Sequence, residues 1–388
     1  MKINKNIIFL LTYMLFLLYA CNQDERGQYP IDNVAPAKVA SAWVEKNTPG
    51  GSVIGFNIPE EEDALYVKAN YTLDDGTSME LKSSIYINRI TIEGIGRSRE
   101  VPVVLTVVDR SQNESEPVTV IANPLDSPIY EIANSLNVQE DFGGIRLTWD
   151  NPEQVPIVID VFKSDEDEQM VDRFYSGTRE GKVNVRGQES IETTFSVTIH
   201  DRWGNTTAPM SGIYTPIFEE EIDKSKFRRW NPPGLPYAAQ ASWPIEAAWD
   251  DLLSAPGFAG TFPYCTFDMG QVARISRFKI HNRSEQTLCY NHAMLRLFEV
   301  WGSNTPNVTD SFDDWQFLGY FEVTKPSGLP VGQLTTEDVQ YAAIDGIDFE
   351  VEDSPYIRYL RFRSIETWGL NAGIQFMELT FWGTAQEE

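Results

Sequence analysis

Apolar and polar residues alternate with a period of two over most of the chain. Leu65, Val67, Ala69 and Tyr71 alternate with Tyr66, Lys68 and Asn70; Ile145, Leu147 and Trp149 form a second series, and Phe195, Val197 and Ile199 a third. Further on, Phe278 and Ile280 alternate with Lys279 and His281, Leu360 and Phe362 with Arg361 and Arg363, and Met377, Leu379 and Phe381 repeat the pattern. Successive side chains of a strand point to opposite faces, so each series predicts a half-buried β-strand. Clusters of Gly, Pro, Asn and Asp separate the series, as turns between antiparallel strands require. No helical period of convincing length interrupts them, and an all-β chain is expected. His200 is out of phase with Val197 and Ile199 and is expected to face outward.

The N-terminus departs from this pattern. Behind Lys2 and Lys5, residues Ile7 to Ala20 are almost wholly apolar. That run is short for a membrane span and fits a secretory signal over residues 1–20. Its end, Leu18-Tyr19-Ala20-Cys21, resembles the lipobox of bacterial lipoproteins. The resemblance implies cleavage before Cys21 and acylation of its thiol and new amine, and several acyl chains on one residue anchor stably. Asn22-Gln23-Asp24-Glu25 follows, an acidic cluster that resembles the surface-export signal of Bacteroidetes-type lipoproteins. Residues 21–30 are read as a tether, and the expected location is the outer membrane, lipid-anchored and facing outward. Nothing else in the chain is apolar over 18 residues, so the membrane is met through the anchor alone.

The middle of the chain repeats itself. Gly50-Gly51-Ser52-Val53-Ile54-Gly55-Phe56-Asn57-Ile58-Pro59 aligns with Gly143-Gly144-Ile145-Arg146-Leu147-Thr148-Trp149-Asp150-Asn151-Pro152, and Asp109-Arg110-Ser111-Gln112-Asn113-Glu114-Ser115-Glu116-Pro117 aligns with Asp201-Arg202-Trp203-Gly204-Asn205-Thr206-Thr207-Ala208-Pro209. Two matches at nearly one offset indicate tandem modules, expected over 31–123 and 124–217. The D-R-x-x-N segments are turn chemistry, with Asp and Asn side chains bonding nearby backbone. Asp109-Arg110 and Asp201-Arg202 are expected in solvated loops at strand ends. Glu60-Glu61-Glu62-Asp63 and Asp165-Glu166-Asp167-Glu168 lack the D-x-D-x-[DN]-G calcium loop and read as hairpin tips. Ile-Arg-Leu-Thr-Trp beside Thr-Ile-His-Asp-Arg-Trp-Gly-Asn resembles fibronectin type III or immunoglobulin-like modules, without the Cys pair of antibody domains. Both modules are read as spacers.

Composition narrows the chemistry. With 31 Lys and Arg against 57 Asp and Glu, the net charge is −26. A chain this acidic is repelled by nucleic-acid backbones and by anionic membrane surfaces. Three His and three Cys leave little for a multi-ligand zinc site. The ten Trp are unevenly placed, with seven from Trp230 onward: Trp230, Trp243, Trp249, Trp301, Trp315, Trp368 and Trp382. A Pro- and Gly-rich stretch suggests a linker over 218–236, leaving 237–388 as a C-terminal domain.

In that domain seven segments stand in order. They are Glu246-Ala247-Ala248-Trp249-Asp250, Thr266-Phe267-Asp268-Met269-Gly270, Ile275 to Ile280, Phe298-Glu299-Val300-Trp301-Gly302-Ser303, Asp314 to Gly319, Tyr356 to Phe362, and Gln375 to Gly383. The succession resembles a discoidin domain (coagulation-factor type C), a jelly-roll sandwich of the galactose-binding-like fold widely used to bind glycans. With the lipobox and the tandem sandwiches, the chain resembles Bacteroidetes-type lipoproteins of starch-utilisation-like glycan uptake systems. The resemblance implies a structural Ca²⁺ between an early acidic loop and the last strand, with Asp250 and Glu378 as ligands by position. Here Asp250-Asp251-Leu252 replaces the Asp-Gly often seen in that loop.

Sugar recognition needs apolar surface for C–H faces and a few fixed donors and acceptors. The resemblance places the site on loops at one end of the sandwich. Trp368, flanked by Gly369 and close to Asn371, is the expected stacking platform, and Arg283, Tyr290, Asn291 and His292 the polar complement. Trp301 and Trp382, within strands, are expected in the core. Cys265 and Cys289 are the thiols left after lipidation; an oxidising periplasm allows a disulfide between them, though spacing alone does not show whether they approach.

Two function classes stay open. One is a non-catalytic surface lipoprotein that binds a polysaccharide or oligosaccharide through its discoidin-like domain, beside outer-membrane glycan-uptake proteins. The other is an adhesion or structural protein whose discoidin-like domain meets another protein. A glycosidase would need two carboxylates about 5–10 Å apart in a cleft, and no α/β alternation supplies such a cleft.

Overall fold

The computed structural model describes residues 32–386 except 59, 61–63, 165–167, 233–242, 254–256 and 286. The expected signal, Cys21 and tether lie outside the described residues, as do 233–236 of the expected linker and most of both acidic runs. The chain is all-β, as expected. It divides into two compact units: residues up to 137 with 147–183 and 194–212, and residues 138–146 with 184–193 and 213 onward.

The first repeat is built from β1 (Ser41–Thr48), β2 (Gly51–Asn57), β3 (Ala64–Thr72), β4 (Ser78–Ser84), β5 (Arg89–Glu93), β6 (Val101–Asp109) and β7 (Val118–Ala122). They form two sheets, ordered β1-β2-β5 and β4-β3-β6-β7. Val101, Val103, Leu105 and Val107 of β6 are fully buried against Ile54, Phe56, Val67, Ala69, Ile90 and Ile92. The expected β3 series holds at Val67, Ala69 and Tyr71 but not at Leu65. A register shift between Ala64 and Tyr66 resets the alternation, and Ala64 takes the inward place.

The second repeat follows the same plan. After α1 (Pro128–Ser135) come β8 (Asn137–Asp141), β9 (Gly144–Asp150), β10 (Ile157–Ser164), β11 (Glu168–Ser176), β12 (Glu180–Asn184), β13 (Thr193–His200) and β14 (Met210–Tyr214), in sheets β12-β9-β8 and β11-β10-β13-β14. Ile145, Leu147 and Trp149 are buried, as are Phe195, Val197 and Ile199. His200 faces outward, with Nε2 3.2 Å from Asp160.

The D-R-x-x-N segments are turns of one design. Asn113 N donates to Asp109 Oδ1 at 2.8 Å and its amide to Oδ2 at 3.0 Å; Asn205 repeats both bonds on Asp201, at 3.1 and 2.9 Å. The second copy is not a solvated loop. Trp203 packs against the core of the first repeat, Asn205 donates to Gly94 O at 3.1 Å, and Arg202 pairs with Glu93 at 2.8 Å. Gly94 stands at φ +91°, and a Cβ there would lie 2.9 Å from the Trp203 ring, so glycine is needed both for the conformation and for the approach. The first copy holds the segment before its own sandwich, through Asn113 to Val34 O at 3.1 Å.

The C-terminal domain contains β15 (Glu220–Glu221), β16 (Arg228–Arg229), β17 (Phe258–Gly260), β18 (Tyr264–His281), β19 (Leu295–Ser303), β20 (Gln316–Glu322), the short α2 (Thr336–Val339), β21 (Ile347–Glu350), β22 (Tyr356–Thr367), β23 (Ile374–Phe376) and β24 (Glu378–Ala385). One eight-stranded sheet runs β15-β24-β18-β22-β19-β20, with β16 and β21 also on β18, and β17 pairs with β23. β18 bends between Asp268 and Ala273, where Gly270 sits at φ +68° against Lys226 O. Its core is aromatic: Phe267, Phe278, Phe298, Phe362, Phe376 and Phe381 are fully buried.

The expected linker is corrected by this arrangement. Glu220–Glu221 pairs with β24 and Arg228–Arg229 with β18, while Ile222 and Phe227 are buried in the domain core. Two apolar anchors inside a charged stretch dock it on the sheet.

Candidate functional site

At one end of the C-terminal sandwich, the loop between β18 and β19 meets the loop between β22 and β23. Gly369 N donates to His292 O at 3.0 Å, Trp368 N to Met294 O at 2.9 Å, and Thr367 Oγ1 to Asn371 O at 2.9 Å. A Cβ on Gly369 would lie 2.1 Å from His292 N, so the two backbones touch there. Tyr290, His292 and Leu370 all hold positive φ, near +50° to +60°. Each such non-glycine residue costs about 1 kcal/mol or more, and such residues concentrate at functional sites.

These loops gather the expected residues but use them differently. Asn371 and His292 are exposed, with the Asn371 amide nitrogen 3.2 Å from His292 Nδ1, and Leu370 beside them is 82% exposed. Asn291 Oδ1 accepts from His292 N at 2.8 Å and shapes the turn. Tyr290 is fully buried; burial pushes its phenol up, and its hydroxyl donates to Thr324 O at 2.9 Å. Trp368 is half-buried: Tyr290 meets it edge to face at 5.0 Å, Arg296 lies over its ring at 5.2 Å, and its Nε1 is turned inward. It is therefore a brace between the loops rather than an open platform. Arg283 is buried, bonded to Glu285 and lying over Trp243 at 4.6 Å, and it holds the Glu285 carboxyl below its usual range. A guanidinium placed this way supports the loop.

The residues expected to hold calcium do not fit it as arranged. Glu378 Oε1 accepts from Lys224 Nζ at 2.6 Å, and Asp251 Oδ1 accepts from the same ammonium at 2.6 Å. Asp250 Oδ1 accepts from Leu252 N within its own turn. A lysine ammonium bridges the early acidic loop and the last strand, and a divalent ion beside it would be repelled. Millimolar Ca²⁺ or EDTA is expected to leave the melting temperature unchanged; a calcium-dependent rise would show that Lys224 gives way.

Cys265 and Cys289 are free and buried, so the bridge considered above is not formed. Cys265 belongs to β18 beneath the sheet's aromatic cover, and burial raises its thiol pKa; burial likewise pushes Cys289 up to about 11. Neither is poised as a nucleophile.

A second surface was not legible in the sequence. Trp301 is not in the core; it lies half-buried on the outer face of the sheet, 4.8 Å from Phe312 and 5.0 Å from Phe317. Trp382 is also half-buried, under the Arg277 guanidinium at 3.9 Å. A register shift pairs Trp301 with Phe317 but Glu299 with Tyr320, which puts Phe317 and Tyr320 on one face, both 53% exposed. The run Phe317-Leu318-Gly319-Tyr320-Phe321, too apolar for simple alternation, was the available signal. On the same face Arg361, the cross-strand partner of Trp301, is fully buried under the loop between β19 and β20, donating to Thr266 Oγ1 at 3.0 Å, Ser311 O at 3.0 Å and Thr309 O at 3.3 Å, with Trp315 4.2 Å from its guanidinium.

Three family models, each described as a domain of unknown function, match the chain: DUF4959 over residues 36–124, DUF5126 over 125–225 and DUF5000 over 245–383. No curated protein matches. Among similar solved structures, the SusE-like protein BT2857 is 27% identical over 66% of this chain and 98% of its own, with a TM-score of 0.43. The C-terminal domain of a chitobiase from Bacteroides fragilis is 12% identical over 43% of this chain and 100% of its own, TM-score 0.30. A two-domain fibronectin type III segment of chicken tenascin is 12% identical over 46% and 99%, TM-score 0.23. No helix among the described residues is long and apolar enough to cross a membrane.

Proposed function

We propose that this chain is a non-catalytic, lipid-anchored surface protein that captures glycan through its C-terminal domain, with the two preceding sandwiches as spacers. The observation that carries this is the exposed His292–Asn371 pair, fixed by zipped loops beside the apolar surface of Leu370 and the edge of Trp368. An imidazole and a carboxamide held in one geometry can donate to and accept from adjacent hydroxyls, and the apolar neighbours can meet a pyranose C–H face. Preorganisation by the three strained residues lowers the ordering cost of binding. Acids near the loops are engaged in ion pairs, Glu285 with Arg283 and Glu366 with Arg296, which favours binding over hydrolysis. Anchoring through Cys21 and association with glycan-uptake proteins of the outer membrane belong to the same proposal.

On a glycan array, His292→Ala and Asn371→Ala are each expected to weaken the full chain's binding about tenfold, near 1.4 kcal/mol, with unchanged melting temperature. Binding that survives both substitutions would overturn the site.

A further inference from the structure

We propose that the outer face of the C-terminal sheet around Trp301 is a second carbohydrate-contact surface, which takes an uncharged polysaccharide chain. The inference rests on the glycan-binding function proposed above and assigns it a ligand class and a second point of contact.

The face is made of rings held on strands. Trp301 comes from β19, Phe317 and Tyr320 from β20, and Phe312 from the loop between them. Trp301 is inclined to Phe312 by 55° and to Phe317 by 66°. Rings tilted in this way pack on one another and form a shallow apolar cradle, against which the C–H face of a pyranose can lie. The bulge that resets β20 keeps Tyr320 on the same side as Phe317. Arg361 ties the loop carrying Phe312 to the sheet through the Thr309 and Ser311 carbonyls, so the cradle is built before any ligand arrives.

The charge pattern selects the ligand. Arg363 donates to Glu299 Oε2 at 3.2 Å, and Trp301 Nε1 donates to the same oxygen at 3.0 Å. The local cation and anion neutralise each other while keeping planar donors and acceptors at the rim. Arg363 is paired and Arg361 is fully buried, so neither is open to a polyanion, and the chain's net charge of −26 opposes one. A neutral polyhydroxylated chain meets neither obstacle.

The two surfaces share strands. Leu295 of β19 pairs with Thr367 at the loop end, and Trp301 stands six residues further along, about 20 Å at ~3.3 Å per residue. A polysaccharide can touch both, whereas a short oligosaccharide fits one. Linked contacts of this kind raise polymer affinity without changing the affinity of either site.

The test is affinity electrophoresis of the full chain in gels cast with galactomannan, xyloglucan, amylopectin or laminarin, with polygalacturonate as the anionic comparison. Binding of the matching disaccharide is measured by calorimetry. The Phe317→Ala/Tyr320→Ala double variant removes exposed rings and is expected to fold. It should lose retardation on the neutral polymer by tenfold or more and bind the disaccharide as wild type does. His292→Ala should lose both. Wild-type retardation of the double variant, with His292→Ala released, would overturn the second surface and leave the loop site standing. Loss confined to polygalacturonate, or loss of a specific protein partner with polymer binding intact, would overturn it as well. A wild-type chain bound by no glycan would remove the proposed function and this inference together.

Discussion

Replacing Arg361 with Ala is expected to lower the unfolding transition of the C-terminal domain by about 8–16 °C. The side chain is fully buried, and its hydrogen-bond partners are the Thr266 hydroxyl and the Ser311 and Thr309 carbonyls, with Trp315 over the guanidinium. Burial makes the charge costly, which lowers the guanidinium pKa from its ordinary value. Three donor groups and a ring contact offset that cost, and removing the side chain leaves their partners facing a void. Hydrogen bonds to charged groups are worth about 1.5–3 kcal/mol each, and the net loss should approach ~4 kcal/mol. For a domain of this size, 1 kcal/mol corresponds to roughly 2–4 °C. Arg361→Lys should recover only part of the loss, because an ammonium lacks the fork that reaches two carbonyls and the plane that stacks on indole. Arg363→Ala, half-exposed on the same face, should cost less than about 1 kcal/mol. Differential scanning calorimetry of the three variants decides the matter, and an Arg361→Ala transition within 2 °C of wild type would refute the assignment.

The second large effect is a pH dependence. Burial pushes the Glu378 carboxyl up from 4.5 to about 6, against the pull of the Lys224 ammonium. Lys224 is itself drawn down by burial, but Asp251 and Glu378 outweigh that and raise it. A carboxyl whose pKa is higher folded than unfolded stabilises the fold below its unfolded value and loses that contribution as pH rises through the folded one. Glu378 should therefore cost the domain about 2 kcal/mol between pH 4.5 and pH 6, taking ~1.4 kcal/mol per pH unit. His281, the cross-strand neighbour of Glu378, is pushed down by burial and acts with the opposite sign below its ordinary value of 6.5. The carboxyls held low, such as Asp223 by Ser225 and Asp338 by its backbone donors despite burial, act below about pH 4. The difference between wild type and Glu378→Gln isolates the effect: the variant should lack the decline. Parallel stability curves from pH 4 to 7 would show that Glu378 titrates normally.

Much of the fold could be read from alternation, because a strand with one buried face writes its burial into every second residue. Val197, Phe278, Leu360 and Leu379 lie inward as the pattern requires. The pattern fails where the backbone slips, as at Leu65 and between Phe317 and Tyr320, since a bulge reverses the faces and the residue types do not say at which position. It also fails for two-residue strands, too short to alternate, which is why Glu220–Glu221 and Arg228–Arg229 resembled a linker. The candidate loops were legible as loops, and His292 and Asn371 do meet there. The roles of Trp368, Tyr290 and Arg283 were not, because an aromatic or guanidinium group suits a ligand and a neighbouring side chain equally well. Lys224 could not be foreseen opposite Glu378: the two lie 154 positions apart, and only the fold brings them together.

The joint at Gly94 means that the two repeats are not interchangeable. Where the second carries Trp203, the first carries Ser111 at the corresponding position of the same turn. A duplicated first repeat spliced into second place would offer a hydroxyl where an indole fills the neighbouring core, so modular expansion of such a gene would have to copy the second repeat.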